Sequence, residues 1–357
     1  MSSPKAETYF NFKNLHRAYT DCRRRKNQTF YHQKFAYNLE ENLLELEKQL
    51  RDRTYKPRRS IAFIVQQPKV REIFAADFRD RVVHHLLYNY LSPIFEKIFI
   101  YDSWACREDK GTHGVMRRLQ KFETQLERSS RERWPSTANY YLKMDIKSFF
   151  TSIDKQTMYD LVAKKVKNEE ILWLTRTIIF HDCARDIPPK IQSQQSLFDR
   201  LPRDKSLFTV KSGKGLPIGN LTSQFFANVY LNELDQFVKH KLKAKYYLRY
   251  VDDFIVLAHQ RADLELHKSA ITEFVDKKLG LNVHPNKVFI RPVANGVDFV
   301  GYVVRPDYVL VRKRVVGSWR RKMELTDEKL RQQVLASYTA HAMWANAYGL
   351  TKKMGEK

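Results

Sequence analysis

The sequence predicts an α+β fold: a sheet interrupted by long helices, with basic lobes on either side. Three observations predict it. Runs rich in β-branched and aromatic residues, such as "TANYYLKMD" and "KYYLRYVDDFIVLAH", alternate with stretches whose apolar residues recur at helical spacing. Hydrophobic residues make up 43% of the chain, which suits a folded core rather than disorder. The length of 357 residues is too great for one small core and calls for two or three lobes.

The elements follow in order. Residues 38–50, "NLEENLLELEKQL", place Leu39, Leu43, Leu46 and Leu50 on one helical face, with Asn38 as N-cap and Glu41 completing a capping box. Residues 59–77 predict two short strands broken at Pro68. Residues 78–95 predict a helix ending near Ser92-Pro93. A basic helix is expected over 109–128, a strand ending near Asp145, and helix over 155–180. The stretch 183–215 holds "IPPK", "LPRDKSLF" and "KSGKG"; its Pro, Gly and Lys content predicts a long loop or inserted finger. Helix returns over 220–242, with Leu221, Phe225, Val229 and Asn232 sharing a face beside Leu231, Leu234 and Val238. Residues 246–250 and 254–258 predict a hairpin of alternating strands with Asp252 and Asp253 at its tip. A helix over 262–279, two or three short strands within 297–314 and a basic helical C-terminal region complete the pattern.

The charge indicates the partner. Lys and Arg number 64 against 40 Asp and Glu, a net charge of +24. Such an excess repels itself unless an anion neutralises it, and a phosphate backbone is the usual one. Twenty-two Phe and 19 Tyr add stacking surface for bases. No apolar run approaches the roughly 20 residues needed to span a membrane, and "MSSPKAETYF" lacks an apolar signal segment. A cytoplasmic protein with no membrane partner is expected. Cys22, Cys106 and Cys183 lie too far apart for a CxxC site and suit reduced structural thiols.

Asp252 and Asp253 sit in an otherwise greasy hairpin. Adjacent carboxylates repel, and burial without partners is costly. Divalent cations relieve that repulsion best. Mg²⁺ takes carboxylate oxygens plus substrate phosphates, and two such ions serve an in-line phosphoryl displacement. A further carboxylate is then needed from a neighbouring strand. Asp145, which ends the aromatic run "NYYLKMD", is the best candidate.

At this point the residues resemble a family. "RYVDDFIVLA" is similar to the YxDD box of reverse transcriptases, and "LKMDIKSFFTSID" to their first carboxylate box. "VREIFAADFRDRVVHHLL", "SWACREDKGTH", "GLPIGNLTSQFFANVYLNELD", "LGLNVHPNKVFI" and "VDFVGYVV" resemble the remaining boxes, in the family's order, over roughly residues 65–305. The resemblance implies a right-hand polymerase: N-terminal extension and fingers over 1–139, palm over 140–304 with the 183–215 insertion, and a short basic thumb over 305–357. It implies that Asp145, Asp252 and Asp253, helped by the Ile146 carbonyl, hold two Mg²⁺ ions, with Mn²⁺ as the alternative. Lys69 and Arg71 match the residues that grip a dNTP triphosphate. Gly219 and Gln224 also fall in the nucleotide site. Phe150 matches the steric gate against a ribose 2′-OH, and Lys287 a lysine that assists departure of pyrophosphate.

The middle box narrows the resemblance. Ile218-Gly219 followed by Ser223-Gln224 stands where retroviral and group II intron enzymes usually have Gln-Gly and Ser-Pro. "IGNLTSQ", "LPRDKSLF" and "SYTAHAMWANAYGL" resemble reverse transcriptases of diversity-generating retroelements, with Ala340-His341 where that family commonly has Gly-His. This implies copying of a template RNA into cDNA with errors concentrated at adenines, for targeted diversification of a protein gene. It also implies a small, basic, oligomeric accessory protein. Ile218 lacks the polar group a Gln would offer near the nascent pair, and so becomes the fidelity residue. "VRKRVVGSWRRK" predicts a nucleic-acid clamp of Arg312, Lys313, Arg314, Arg320, Arg321 and Lys322. No endonuclease, RNase H or maturase segment is expected. Two alternatives stay open: another bacterial reverse transcriptase, from phage defence or related to group II introns, and an inactive RNA-binding scaffold.

Overall fold

The computed structural model describes residues 8–24, 29–66, 69–133, 138–186, 201–324 and 327–355. The chain divides into two compact units, neither of them continuous in sequence. The first comprises Met1–Phe99, Lys147–Glu233 and Asp276–Leu281; the second comprises Ile100–Ile146, Leu234–Val275 and Asn282–Lys357. This division cuts across the linear segments 1–139, 140–304 and 305–357.

The first unit is mostly helical and carries an antiparallel hairpin, β1 (Ile61–Val65) and β2 (Arg71–Ala75), in the register Ile61↔Ala75. The break expected at Pro68 lies outside the described residues. Helix Leu39–Arg51 buries Leu43, Leu46 and Leu50, as their spacing requires. Its expected cap is not made. Asn38 also ends the preceding helix Phe30–Tyr37, and its φ of −116° and ψ of 53° leave its side chain without a cap bond. Helix Phe78–Glu96 does not stop at Ser92-Pro93 but carries Pro93 within its last turn. So near the end proline forfeits only one backbone bond. Phe95 repays it by packing edge-on against Phe225 at 5.6 Å. The helical stretch over 155–180 is two helices, Lys155–Ala163 and Glu169–Phe180. Asn168 starts the second by accepting a bond from the Ile171 N–H at 3.0 Å. Of the insertion at 183–215, residues 187–200 lie outside the described residues; beyond them come two 3₁₀ turns, Arg203–Lys205 and Leu207–Thr209.

The second unit is built on a four-stranded antiparallel sheet. Its strands are β3 (Tyr140–Asp145), β4 (Tyr246–Tyr250), β5 (Asp253–Ala258) and β6 (Phe289–Pro292), in the order β4-β5-β3-β6. β4 and β5 do not show the expected alternation of buried and exposed residues. Tyr246–Arg249 and Phe254–Leu257 are buried throughout, because both faces are covered. On one face, Val115, Leu119 and Phe122 of helix Thr112–Arg133 pack against Tyr246, Leu248, Ile255 and Leu257. A second sheet of β7 (Val297–Phe299), β8 (Tyr302–Val304) and β9 (Val309–Val311) leads to the C-terminal helices. His341 stacks on Tyr302 at 4.3 Å, and the Tyr302 hydroxyl donates to the His341 carbonyl at 2.9 Å. Trp319 is fully buried beneath Tyr338. The helix expected over 220–242 is α-helical over Leu221–Gln236 and widens to a π turn at Phe237–Lys241. Among the described residues no helix is long and apolar enough to cross a membrane.

Candidate active site

Asp145 ends β3 and Asp253 begins β5, and the antiparallel register sets them directly opposite. Such pairs have Cβ atoms about 4.5–5.5 Å apart. Tyr250 pairs with Asp253 across the hairpin, so the turn contains only Val251 and Asp252. Asp253 therefore belongs to a strand, not to the tip as the sequence suggested. The reason is Val251, whose φ of +56° completes the turn one residue early. A β-branched residue in that region costs about 1–2 kcal/mol, and neighbours must offset it.

Arg249 does so. It is fully buried, and its Nη1 donates to the Val251 carbonyl at 2.9 Å. Its Nε and Nη2 reach Asp235 Oδ1 and Oδ2 at 2.8 and 2.6 Å, and Nη2 also reaches Ser103 Oγ at 3.0 Å. The Tyr247 hydroxyl donates to the same Asp235 Oδ1 at 2.6 Å. The backbone is zipped too: Arg249 N–H donates to the Asp102 carbonyl and Trp104 N–H to the Arg249 carbonyl, each at 2.9 Å. Thus Ser103 and Trp104 of the "SWACREDKGTH" box brace the hairpin that carries Asp252.

On the other side of β3, His284 N–H donates to the Asp145 carbonyl at 2.8 Å, and Ile146 bridges Val283. The "HPNK" turn closes with Lys287 N–H donating to the His284 carbonyl at 3.1 Å. This turn delivers Lys287 Nζ to within 2.8 Å of Asp145 Oδ2. Lys143, which the sequence reading passed over, stands 4.0 Å from Asp253 Oδ2. Its signal was present: it precedes Asp145 by two residues and so shares its strand face. Three carboxylates are therefore flanked by two ammonium groups. Packing around the Asp252 carboxyl, then repulsion from Asp145 and Asp253, pushes its pKa up to about 6, although the residue keeps some exposure.

The donor set fits a divalent cation. Carboxylate oxygens are hard ligands, and the residual repulsion is the kind a cation relieves. Among the described residues no three His, Cys, Asp or Glu side chains already close around one point. A divalent cation held by so few protein groups would complete its shell with phosphates and water. The Ile146 side chain is buried and carries no donor atom, so only its backbone carbonyl could serve a cation.

The candidates that the resemblance matched to nucleotide binding lie in the first unit. Lys69 and Arg71 are exposed at the β1–β2 hairpin. β2 is tied to the "IGNLTSQ" box: Phe74 N–H donates to the Ile218 carbonyl at 2.8 Å, and Ala76 N–H to Asn220 Oδ1 at 3.3 Å. Gly219 is required there. Its φ is +128°, and a Cβ would stand 2.7 Å from the Phe74 carbonyl oxygen. The structure thus brings Arg71, Ile218 and Gly219 onto one pair of strapped segments, with the Ile218 side chain half-buried. Gln224 is exposed in the first turn of helix Leu221–Gln236. Phe150 is half-buried in the short helix Phe149–Ser152, and its carbonyl accepts from Leu216 N–H at 2.8 Å.

The six basic residues of "VRKRVVGSWRRK" do not form one exposed face. Lys313, Arg314, Arg320 and Arg321 are exposed. Arg312 is half-buried against Asp298, and Lys322 lies over the Tyr338 ring at 5.7 Å. The helix Lys313–Met323 turns Trp319 inward, and spacing alone scatters its cations around the axis.

Comparison with known proteins places the chain in a family. The chain is 21% identical over 326 residues to nuclear intron maturase 1, mitochondrial, of Arabidopsis thaliana, covering 70% of this chain and 44% of that protein. It is also 21% identical over 331 residues to the group II intron-encoded protein LtrA of Lactococcus lactis subsp. cremoris, covering 74% and 50%. The chain spans about half the length of these two relatives. A solved telomerase from Candida albicans aligns with a TM-score of 0.49 at 10% identity, over 84% of this chain and 58% of that one. The model of the family described as reverse transcriptase (RNA-dependent DNA polymerase) matches residues 62–304. Helices combined with antiparallel sheets, and carboxylates at the ends of two paired strands, are the right-hand polymerase fold that the resemblance implied. With most of its length matched, the chain belongs to the reverse transcriptase (RNA-dependent DNA polymerase) family.

Proposed function

We propose that the protein is an RNA-directed DNA polymerase that extends a primer on an RNA template with dNTPs. The observation that carries this reading is the register that sets Asp145 opposite Asp253, with Asp252 on the adjoining turn. These carboxylates and the Ile146 carbonyl would hold two Mg²⁺ or Mn²⁺ ions. Bound there, the ions would supply Lewis-acid activation of the primer 3′-hydroxyl and neutralise charge on the leaving pyrophosphate. The protein's own groups do the rest. Lys69 and Arg71 donate to the triphosphate, where guanidinium suits phosphate bidentately. Gly219 lets the strand of Arg71 approach, and the Gln224 amide faces the nucleotide. The Phe150 ring excludes a 2′-hydroxyl. Lys287 holds its charge beside Asp145 and sustains the departing pyrophosphate. Lys313, Arg314, Arg320 and Arg321, with Arg312 and Lys322 behind them, grip the strand backbone. Primer extension on template RNA tests the reading: Asp145→Asn and Asp252→Asn lose extension while keeping their melting temperature. Absence of extension by the parent protein, with Mg²⁺ and dNTPs supplied, would overturn it and favour an RNA-binding scaffold.

Within the family we assign the chain to the diversity-generating retroelements, working with a small basic accessory protein. Support comes from Ile218-Gly219 followed by Ser223-Gln224, and from an Ile218 side chain with no polar group to offer the nascent pair. Ile218→Gln lowers misincorporation opposite template adenine about tenfold, the equivalent of one regained contact. An unchanged error spectrum sinks the fidelity role of Ile218. A second reading is favoured by the intron maturase and intron-encoded relatives: a reverse transcriptase related to those of group II introns, without the adenine errors. Faithful copying at adenines by the parent protein would establish it instead.

A further inference from the structure

The first unit contains a cavity of about 260 Å³ that the polymerase reading leaves unused. Its walls are the start of helix Lys155–Ala163, residues 181–185 and the loop 207–217. Four cations line it, Lys155, Arg185, Lys211 and Lys214, against one carboxylate, Asp182. Asp182 is already engaged by Arg185 at 3.1 Å. The Lys211 and Lys214 ammonium groups are exposed and have no ion-pair or hydrogen-bond partner among the described residues. Lys155 forms the floor. It is only 7% exposed; among the described residues its Nζ donates to one long acceptor, the His181 carbonyl at 3.3 Å, and feels the Asp182 carboxylate, which Arg185 already holds, at longer range. A buried ammonium so poorly matched is costly unless an anion completes it.

The loop that presents these cations is held in place. Lys155 N–H donates to the Gly213 carbonyl at 2.9 Å, and Gly215 N–H donates to the Ile153 carbonyl at 2.8 Å. Lys214 bridges Asp154 through the backbone. Gly213 and Gly215 have φ of +81° and +84°, and a Cβ on Gly215 would stand 2.6 Å from Leu207 Cδ2. The sequence "KSGKG" thus folds into a fixed turn with two lysines on its rim, and a site ordered beforehand loses less entropy on binding.

We infer that this cavity binds a short run of phosphate groups, either the sugar–phosphate backbone of a nucleic-acid strand or the polyphosphate of a free nucleotide. Its volume is below the ~300–1,000 Å³ usual for whole small-molecule ligands, which suits phosphates rather than an entire nucleotide. The excess of cations supplies charge for two or more of them. The inference rests on the first unit alone and does not need the polymerase reading.

The full-length protein in EDTA, which removes cation-mediated binding at the carboxylates, is titrated with sodium tripolyphosphate by calorimetry. Lys211→Glu/Lys214→Glu weakens binding at least about tenfold, the loss of two charge-assisted contacts. Lys13→Glu/Arg17→Glu, an equal charge change on an exposed helix face of the same unit, leaves it within about twofold. Lys155→Met weakens it as well where that variant folds. Anisotropy with a fluorescein-labelled 12-nucleotide RNA then separates the sources. Parallel loss of RNA affinity, with displacement by tripolyphosphate, identifies a strand backbone; unchanged RNA affinity identifies a free polyphosphate. No tripolyphosphate binding by the parent protein, or equal weakening in both double variants, overturns the inference.

Discussion

Replacing Arg249 by Met removes a buried guanidinium while keeping the stem. Asp235 is then left with the Tyr247 hydroxyl at 2.6 Å as its side-chain partner, and Ser103 Oγ and the Val251 carbonyl each lose a donor. Breaking one side of a buried pair costs about 3–5 kcal/mol. Domains have about 5–15 kcal/mol in total, so the variant folds but with a lower urea midpoint. Adding Asp235→Leu removes the orphaned carboxylate, and most of that loss returns, because apolar replacements of buried pairs are often neutral. The double variant still has no donor for the Val251 carbonyl, and Val251 still sits at φ +56°. Asp252 therefore loses its fixed position. A displacement near 1 Å at a reacting centre costs about a hundredfold in rate. Urea unfolding and steady-state primer extension, run on the parent, the single and the double variant, separate the two effects. The double variant regains stability, yet kcat stays about 10–100-fold down with KM for dNTP little changed. Recovery of kcat together with stability would show that the pair only supports the fold, and the bracing argument would fail.

Two further perturbations test other parts of the molecule. Gly219→Ala drives a methyl to within 2.7 Å of the Phe74 carbonyl at a backbone φ of +128°; stability falls by about 1–3 kcal/mol and KM for dNTP rises, read by thermal unfolding and extension kinetics. An alanine variant with parent KM would show that the strap has no bearing on nucleotide binding. Glu123, buried in helix Thr112–Arg133 with neither carboxylate oxygen hydrogen-bonded, is pushed up to about 9 by burial, partly countered by Arg305. Unfolded, it releases its proton near 4.5, so the native state holds more protons between those values. Its contribution is full below pH 4.5 and is lost as pH rises toward 9, at up to about 1.4 kcal/mol per pH unit. Glu123→Gln, compared with the parent by urea unfolding at pH 5, 7 and 8.5, gains relative stability as pH rises. A difference independent of pH would refute the neutral carboxyl.

What the sequence reveals depends on how local its cause is. β3 ends at Asp145 because an aromatic and aliphatic run meets a charge, and that pattern is written in six consecutive residues. Leu43, Leu46 and Leu50 declare their helix face in the same way. The division of labour between Asp252 and Asp253 is not local. No turn rule selects a valine for a positive φ; Val251 holds it because Arg249 grips its carbonyl, and Arg249 is held by Asp235 and Ser103, 14 and 146 residues away. Arg312 and Asp298 mislead for the same reason, since a charge run cannot show which member has a partner on another strand. Lys287 lies between the two cases. Its place after "HPN" marks a turn, but the hydrogen bond from His284 to the Asp145 carbonyl is what aims that turn at the carboxylates. Residue type at Asp145, Asp252 and Asp253 points to the chemistry. The counter-charges and braces that make three adjacent carboxylates tolerable come from segments far apart in the chain, and only folding brings those together.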